Sequence, residues 1–310
     1  MKYSIVVPIH NEAGNITPLH QEIQAVFNAM GEAYEIIYIN DGSIDTSLAE
    51  LKTLSDAVVI DLNTHYGQAT ALDAGFKYAN GEVVVSMDGD GQNDPHDIPA
   101  MLEKLYTARL DVVAGWRQRR EDTSRIKILT LIGRFVRRLL MNDPVHDTGC
   151  TLRVYRREAI KSLDLQGEMH RYILGLLRWK GFRIGEMVVK DRTRVYGASK
   201  YGMSKSVRGL IDLLFIWFIH KYSQRPLHFF GYASLLVFLI GFLFLAYAGY
   251  QKLYLDIGIN RSGHFLLGAF SILGSLILFT FGVVIDLLIK IHLNNSPYEK
   301  RYYVREINKT

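Results

Sequence analysis

The chain of 310 residues has a single cysteine, Cys150, so no intramolecular disulfide can form and a reducing compartment is the expected setting. Charge is absent from two long stretches, Phe229 to Tyr250 and Phe265 to Ile285. Each is long enough to cross about 30 Å of hydrocarbon as a helix, whereas a buried helix of a soluble domain is usually shorter and keeps a polar face. Internal repeats and low-complexity segments are lacking. Met1 to Pro8 has no charged start followed by a long apolar run, so no cleavable signal peptide is expected.

The polar segment Gln251 to His264 separates the two apolar stretches, which predicts a hairpin with both ends on one side of a membrane. Lys221 and Arg225 precede the hairpin, and Lys290, Lys300, Arg301 and Arg305 follow it; the connecting loop sets Lys252 and Arg261 against Asp256. By the positive-inside tendency, the rest of the chain is expected in the cytoplasm. The formal net charge is +5, with basic residues clustered between Arg117 and Arg138. No nucleic-acid-binding motif accompanies them, so anionic lipid headgroups are the simpler partner beside a hairpin.

Before the hairpin the pattern alternates. Strands are predicted at Tyr3–Ile9, Tyr34–Ile39, Ala57–Leu62, Glu82–Met87 and Val112–Gly115. Helices are predicted at Thr17–Met30, Ser47–Leu54, Gln68–Ala79 and Ile98–Arg109. Such alternation argues an α/β domain with a mostly parallel sheet and helices on both faces. Ligands in such sheets bind outside the carboxyl ends of the strands, where Asn11-Glu12, Asn40-Asp41 and Asp88 to Gln92 fall. Residues 126–141 carry apolar side chains at helical spacing, interleaved with Arg134, Arg137 and Arg138. They predict an interfacial amphipathic helix or a surface helix on the core. A juxtamembrane helix is expected over 206–225, and a tail follows residue 290. The domain expectation is therefore a cytoplasmic domain over 1–205, two spanning helices near 229–250 and 265–287, and a tail over 291–310.

Asp88-Gly89-Asp90-Gly91-Gln92 is the most informative string. Two carboxylates one residue apart at the end of a buried strand make a hard-oxygen pocket for Mg²⁺ or Mn²⁺, with places left for phosphate oxygens. Alone the string also describes a solvated turn; its position after Val83-Val84-Val85-Ser86-Met87 favours a ligand site. Asp41, in Asn40-Asp41-Gly42-Ser43, is suited to accept hydrogen bonds from a base or ribose, or to close an ordinary Asx-turn.

The succession V-V-P-I-H-N-E, N-D-G-S, H-Y-G-Q, M-D-G-D-G-Q-N-D-P, D-T-G-C-T-L-R-V-Y and R-x-x-G-x-S-K-Y resembles family 2 glycosyltransferases, and among them the polyprenyl-phosphate sugar transferases. The resemblance runs over residues 1 to about 205 in motif order, and the trailing hairpin fits it. It implies a GT-A-type, Rossmann-like domain, a nucleotide-sugar donor carrying UDP or GDP, a divalent cation and a polyprenyl phosphate acceptor. Carried over by position, the nucleotide pocket falls on Pro8, His10, Glu12, Asp41 and Ser43, with Asp88 facing the nucleotide. The metal motif falls on Asp88, Asp90 and Gln92, and the late basic motif on Arg194, Ser199 and Lys200. Thr64-His65-Tyr66-Gly67-Gln68 stands where many relatives carry Arg-Asn-x-Gly-Lys, so two positive charges are missing. Cys150 stands where some relatives have a carboxylate, which leaves Asp147 as the candidate base. A phosphate monoester, with a second pKa of about 6, is already a nucleophile at neutral pH and has little need of one. Attack opposite the nucleotide would invert the anomeric centre. Arg117, at the end of the fifth strand, is the candidate for gripping the acceptor phosphate.

Three other readings are weaker. A processive polysaccharide synthase would show Gln-x-x-Arg-Trp, but here Gly175 precedes Arg178-Trp179, and there is one hairpin. Glu121-Asp122, the string nearest to a base motif for hydroxyl acceptors, comes too soon after Asp90. A non-catalytic scaffold has no use for Asp88, Asp90 and Gln92 together. A nucleotidyltransferase needs a Gly- and Lys/Arg-rich loop that Val6 to Glu12 does not supply. The expected place is the inner (plasma) membrane of a bacterium, as a multi-pass protein. Homo-oligomerisation is left open.

Overall fold

The structure is a computed structural model that describes residues 1–118, 140–141, 145–165, 167–192, 213–218, 221–222, 225–255, 258 and 263–295. The expected amphipathic helix (all but its last two residues), most of the juxtamembrane helix, and Arg194, Ser199, Lys200 and Glu121-Asp122 lie outside the described residues. So does the tail from residue 296 onward. Chain contacts divide the molecule into two units, Met1–Leu213 and Leu214–Thr310.

The first unit is built on seven strands: β1 (Tyr3–Ile9), β2 (Tyr34–Asp41), β3 (Ala57–Leu62), β4 (Val83–Ser86), β5 (Val112–Trp116), β6 (Arg153–Arg156) and β7 (Ile184–Val188). Its helices are α1 (Ile16–Met30), α2 (Ser47–Lys52), α3 (Gln68–Tyr78), α4 (Ile98–Thr107), α5 (Arg157–Lys161) and α6 (Ile173–Trp179). The sheet order is β3-β2-β1-β4-β6-β5-β7. All neighbours are parallel except β6, which runs antiparallel to both β4 and β5. The central strands are unbroken apolar runs because both faces are covered. On one face Ile5, Val7, Val85 and Val113 pack with Ile23 and Phe27 of α1 and Met101 and Leu105 of α4. On the other, Val6, Ile37, Ile39, Val84 and Ala114 pack with Leu72 and Phe76 of α3 and Leu174 and Leu177 of α6.

The strand order reverses between β1 and β4. Their carboxyl ends therefore splay apart and open a crevice there. Gly89, at the mouth, packs closely on β1: a Cβ would lie 2.3 Å from Ile9 Cδ1 and 3.3 Å from the Pro8 carbonyl. Gly42, after β2, has φ 60° and presses against the Thr64-His65 backbone, where a Cβ would come within 2.4 Å. Both positions hold loops close together at the sheet edge where the polar motifs converge.

The second unit contains α7 (Pro226–Tyr254) and α8 (Gly263–Asn295), two helices long and apolar enough to cross a membrane. They pack against each other as a hairpin. The seam is made of small residues at a seven-residue period: Ser234, Gly241 and Ala248 on α7, and Gly268, Ser275 and Gly282 on α8, all buried. A period of 3.5 residues per turn keeps one stripe facing the partner. Ser234 and Ser275 return their hydroxyls to the carbonyls of Gly231 (2.9 Å) and Ile272 (2.7 Å), so no polar group is stranded in the seam. Outward, Leu236, Leu243, Phe270 and Leu276 are each more than 60% exposed, a surface that suits hydrocarbon and not water. Just before α7, Lys221 Nζ lies 5.2 Å from the Trp217 ring and 5.6 Å from the Tyr222 ring, a cation–π pairing.

The two backbones approach each other closely at Gly241 and Gly268. A Cβ on Gly241 would meet the Gly268 carbonyl at 3.0 Å, and one on Gly268 would meet the Gly241 carbonyl at 2.9 Å. Backbone cannot retreat as a side chain does. Gly241→Val is expected to destabilise the hairpin by about 1–3 kcal/mol. Unfolding in detergent followed by helical signal checks this, with Gly231→Val, at an open position, as the neutral comparison.

Candidate active site

Each central strand delivers polar residues to the crevice. After β1, Asn11 adopts φ 57°, and its backbone N–H donates to Ser43 Oγ at 3.1 Å while its side-chain oxygen accepts from Ile44 N at 2.8 Å. Glu12 donates its N–H to Ser47 Oγ at 2.9 Å. The β1 and β2 loops are thus stitched together, which fixes Pro8, His10, Glu12 and Ser43 around one corner.

Asp41 is the hub of that corner and is 2% exposed. Its carboxylate accepts from the N–H groups of Tyr66 (2.7 Å) and Gly67 (2.9 Å), and His65 Nδ1 lies 2.9 Å from Oδ2. Its carbonyl accepts from His10 Nδ1 at 2.7 Å. His10 and His65 stack, with centroids 4.0 Å apart. Both sequence readings of Asp41 thus meet a third arrangement, in which the carboxylate shapes the loop that carries His65. That loop is 24 to 26 residues away, so no local signal in the sequence announces it.

After β4, Asp88 and Asp90 enter the crevice. Asn93 holds the loop from within: its Oδ1 accepts from Asp88 N at 3.1 Å and Thr151 Oγ1 at 3.0 Å. Gln92 N donates to Asp90 Oδ1 at 3.1 Å. From outside, Asn93 forms an isolated bridge with Asp191, and Arg192 N donates to the Gln92 carbonyl at 3.0 Å. The Arg192 guanidinium spans Asp94 and Glu22 of α1, at 2.7 Å each. The loop therefore owes its shape to the segment leaving β7, a contact about a hundred residues away that the sequence motif does not disclose. Gln92 contributes its backbone to this arrangement.

Gln68, at the start of α3, donates its amide to Asp88 Oδ1 at 2.7 Å. Where a cation was missing from the sequence, a neutral amide takes its place. Asp88 is consequently under-compensated: burial first, and the Asp90 charge second, push its carboxyl up to about 6, against the opposing pull of Thr151, Arg117 and Arg153. Such a pair of crowded carboxylates fits a divalent cation, which removes both penalties at once. An acid whose value is higher folded than unfolded binds its proton more tightly when folded. The contribution of Asp88 to the stability of the metal-free protein should fall as pH rises from about 4 to about 6 and be flat above. Asp88→Asn is expected to raise stability at pH 7 by about 2 kcal/mol and remove that slope, read by thermal unfolding in chelator across pH.

At the end of β5 lie Trp116 and Arg117. Arg117 Nε donates to Asp147 Oδ2 at 2.8 Å and Nη2 to Oδ1 at 3.4 Å; Gly149 N also donates to Oδ1 at 3.0 Å. Arg117 Nη1 lies 3.9 Å from Asp191. Two residues given separate roles by the sequence are thus partners, and both are largely buried. Arg153, 3% exposed, donates to the carbonyls of Thr148 and Cys150 and pins the Asp147–Cys150 turn beside Asp88.

A Rossmann-like sheet with crowded carboxylates at its switch point, ringed by main-chain and guanidinium donors, defines a GT-A-type transferase domain. The profile for glycosyl transferase family 2 matches residues 4–164, and the chain belongs to that family. Dodecaprenyl-phosphate galacturonate synthase of Rhizobium johnstonii is 33% identical over 315 aligned positions, covering 99% of this chain and 93% of its own. Undecaprenyl-phosphate 4-deoxy-4-formamido-L-arabinose transferase of Edwardsiella ictaluri is 33% identical, covering 78% and 74%. Among solved structures, glucosyl-3-phosphoglycerate synthase of Mycobacterium tuberculosis with Mn²⁺, UDP and phosphoglyceric acid aligns with a TM-score of 0.57. It is 19% identical and covers 70% of this chain and 78% of that one, which is a likeness of fold. The protein is a glycosyltransferase, and its two apolar helices mark it as a membrane protein.

Proposed function

We propose that the protein transfers a sugar from a nucleotide-sugar donor to the phosphate of a polyprenyl phosphate, with inversion, at the cytoplasmic face of a bacterial inner membrane. The observation that carries this reading is the crowded Asp88–Asp90 pair in a chain that also carries an apolar hairpin. The two curated relatives above are named for sugar transfer to dodecaprenyl or undecaprenyl phosphate, and one of them aligns along nearly the whole chain. In the structural relative the domain holds Mn²⁺ and UDP.

In this reading Asp88 and Asp90 hold Mg²⁺ or Mn²⁺ beside the donor diphosphate, with Gln92 closing the motif. A cation held there would neutralise charge developing on the leaving nucleoside diphosphate. Pro8, His10, Glu12, Asp41 and Ser43 frame the nucleoside, with Asp41 acting through the His65–Gly67 loop that it holds. Asp88, Asp90, Asp147 and Asp191 outnumber Arg117 and Arg153 by a formal charge of two, which one divalent cation balances. A diphosphate and a phosphate together then need more positive charge. Arg194 and Lys200, with Ser199 as a hydroxyl donor, supply it on the donor side. The acceptor phosphate, a dianion at neutral pH, attacks the anomeric carbon directly. The protein's work is positioning and electrostatic stabilisation, with Arg117 held ready by Asp147 rather than Asp147 taking a proton.

The test is transfer by purified protein in detergent from a panel of UDP- and GDP-sugars to undecaprenyl phosphate, with undecaprenol as the comparison acceptor. The expected product is a lipid monophosphate sugar whose anomeric configuration, read by NMR, is opposite to the donor's. Transfer to undecaprenol instead would favour a hydroxyl-acceptor enzyme. Absence of nucleotide binding as well as of transfer would favour a scaffold.

A further inference from the structure

We infer that His146 is an anion-binding residue on the acceptor side of the site, its Nε2–H donating to an oxygen of the acceptor's phosphomonoester; the inference rests on the polyprenyl phosphate reading above. His146 is held in an unusual degree of detail for a residue whose side chain is 45% exposed. Its backbone N–H donates to Glu186 Oε1 at 2.6 Å, and its Nδ1 lies 2.7 Å from Glu186 Oε2. One carboxylate thus grips main chain and ring together. The ring lies flat on Trp116, with centroids 4.4 Å apart and planes at 17°. Glu186 is itself fixed in β7, where its carbonyl accepts from Lys104 Nζ at 2.6 Å.

The carboxylate sets the tautomer. With Nδ1–H donated to Glu186, the outward nitrogen is Nε2, which has no hydrogen-bond partner among the described residues. In the imidazolium form both nitrogens donate, one to Glu186 and one to an incoming anion. A structural strut does not require this. An exposed ion pair adds little to stability, whereas an imidazole oriented by a carboxylate on one nitrogen can present the other as a donor to a ligand.

Its location fits the acceptor. Strand register aligns Ser86 with Arg153, Arg153 with Ala114, and Ala114 with Glu186, so Arg153 and Glu186 share a sheet face with Ser86. At about 4.8 Å per strand, Trp116 on β5 stands two spacings, about 10 Å, from the strand that delivers Asp88 and Asp90. The proposal places the transferred sugar along that interval, between the Asp88–Asp90 pair and His146. The next residue, Asp147, holds the Arg117 guanidinium at 2.8 Å, and the proposal brings the imidazole and that guanidinium to the same acceptor phosphate.

The test is steady-state transfer by the full-length protein in detergent, varying undecaprenyl phosphate and donor separately, with thermal unfolding alongside. His146→Ala is expected to raise the acceptor KM about tenfold with donor KM and unfolding temperature unchanged, and His146→Gln, whose amide N–H reaches the Nε2 position, to recover most of it. Glu186→Gln should act on the same parameter, and the double variant His146→Ala/Glu186→Gln should be no worse than His146→Ala alone. An unchanged acceptor KM in His146→Ala would overturn the inference. So would a parallel rise in both KM values with a lower unfolding temperature, the mark of a strut. A rise confined to the donor KM would reassign His146 to the transferred sugar and overturn the acceptor role. If the wild-type protein transfers nothing to undecaprenyl phosphate, the functional reading fails, and the inference with it; an insensitive His146→Ala beside an active wild type sinks the inference alone.

Discussion

Asp90→Asn is expected to lower transfer about a thousandfold while leaving the protein at least as stable as the wild type. The two halves of that result have one cause. Asp90 is 5% exposed and sits beside Asp88, whose carboxyl its charge helps push up to about 6. Without a cation the pair is a burden on the fold. With one it would be a ligand set whose charge the metal balances. An amide at position 90 still accepts the 3.1 Å hydrogen bond from Gln92 N, so the loop keeps its shape. A structural carboxylate would behave the other way, losing stability and activity together. Single-turnover transfer and chelator-phase unfolding of one preparation separate the two cases.

The second large effect concerns Asp147, and it separates a base from a brace. Asp147→Ala would strand the Arg117 cation, which burial and two neighbouring carboxylates make strongly dependent on its partner. Removing one partner of a buried ion pair costs about 3–5 kcal/mol, so this variant should lose both stability and transfer. Asp147→Asn keeps an oxygen for Arg117 or Gly149 and should recover to within about tenfold of wild-type transfer. If Asp147 removes a proton in the reaction, the amide cannot do so, and a loss of about 100- to 10,000-fold would persist in a folded protein. Transfer rate and unfolding temperature of the two variants, measured side by side, decide between the roles.

Much of this arrangement is legible in the sequence because its signals are local. The β-branched runs ending in Asn11-Glu12, Asn40-Asp41 and Asp88 to Gln92 give five strands and place the crevice, since a parallel sheet collects its ligands at one edge. The two uncharged stretches give the helices of the hairpin. What escapes is whatever depends on pairing across long separations. Strand β6 is four residues long and antiparallel, and nothing in Arg153–Arg156 says that it slots between β4 and β5. The Asp41 carboxylate finds the Tyr66 and Gly67 amides 25 and 26 residues away, and the Arg192 main chain finds Gln92 across the sheet. Arg117 and Asp147, each charged and each at a strand or turn end, look like independent ligands until register brings them within 2.8 Å. Gln68 is the instructive residue. It reads as a lost cation in the sequence, and the fold shows an amide donating to Asp88, which leaves that carboxylate short of positive charge and available to a metal.

The seam of the hairpin was also present in the sequence and hidden by composition. Ser234, Gly241 and Ala248 are scattered among leucines and phenylalanines, and only the seven-residue recurrence, matched by Gly268, Ser275 and Gly282, sets them apart. In hydrocarbon, apolar bulk does not drive helices together, so close backbone approach has to.

The central claim is that Asp88 and Asp90 hold a divalent cation together with a nucleoside diphosphate at the β1–β4 crevice. Mn²⁺ binding measured by electron paramagnetic resonance, with and without UDP or GDP, tests it most directly. The wild-type protein should bind one Mn²⁺, more tightly when the matching nucleotide is present, and Asp90→Asn should lose that site. Nucleotide binding that is indifferent to metal, or an Asp90→Asn protein that takes up Mn²⁺ as well as the wild type, would contradict it.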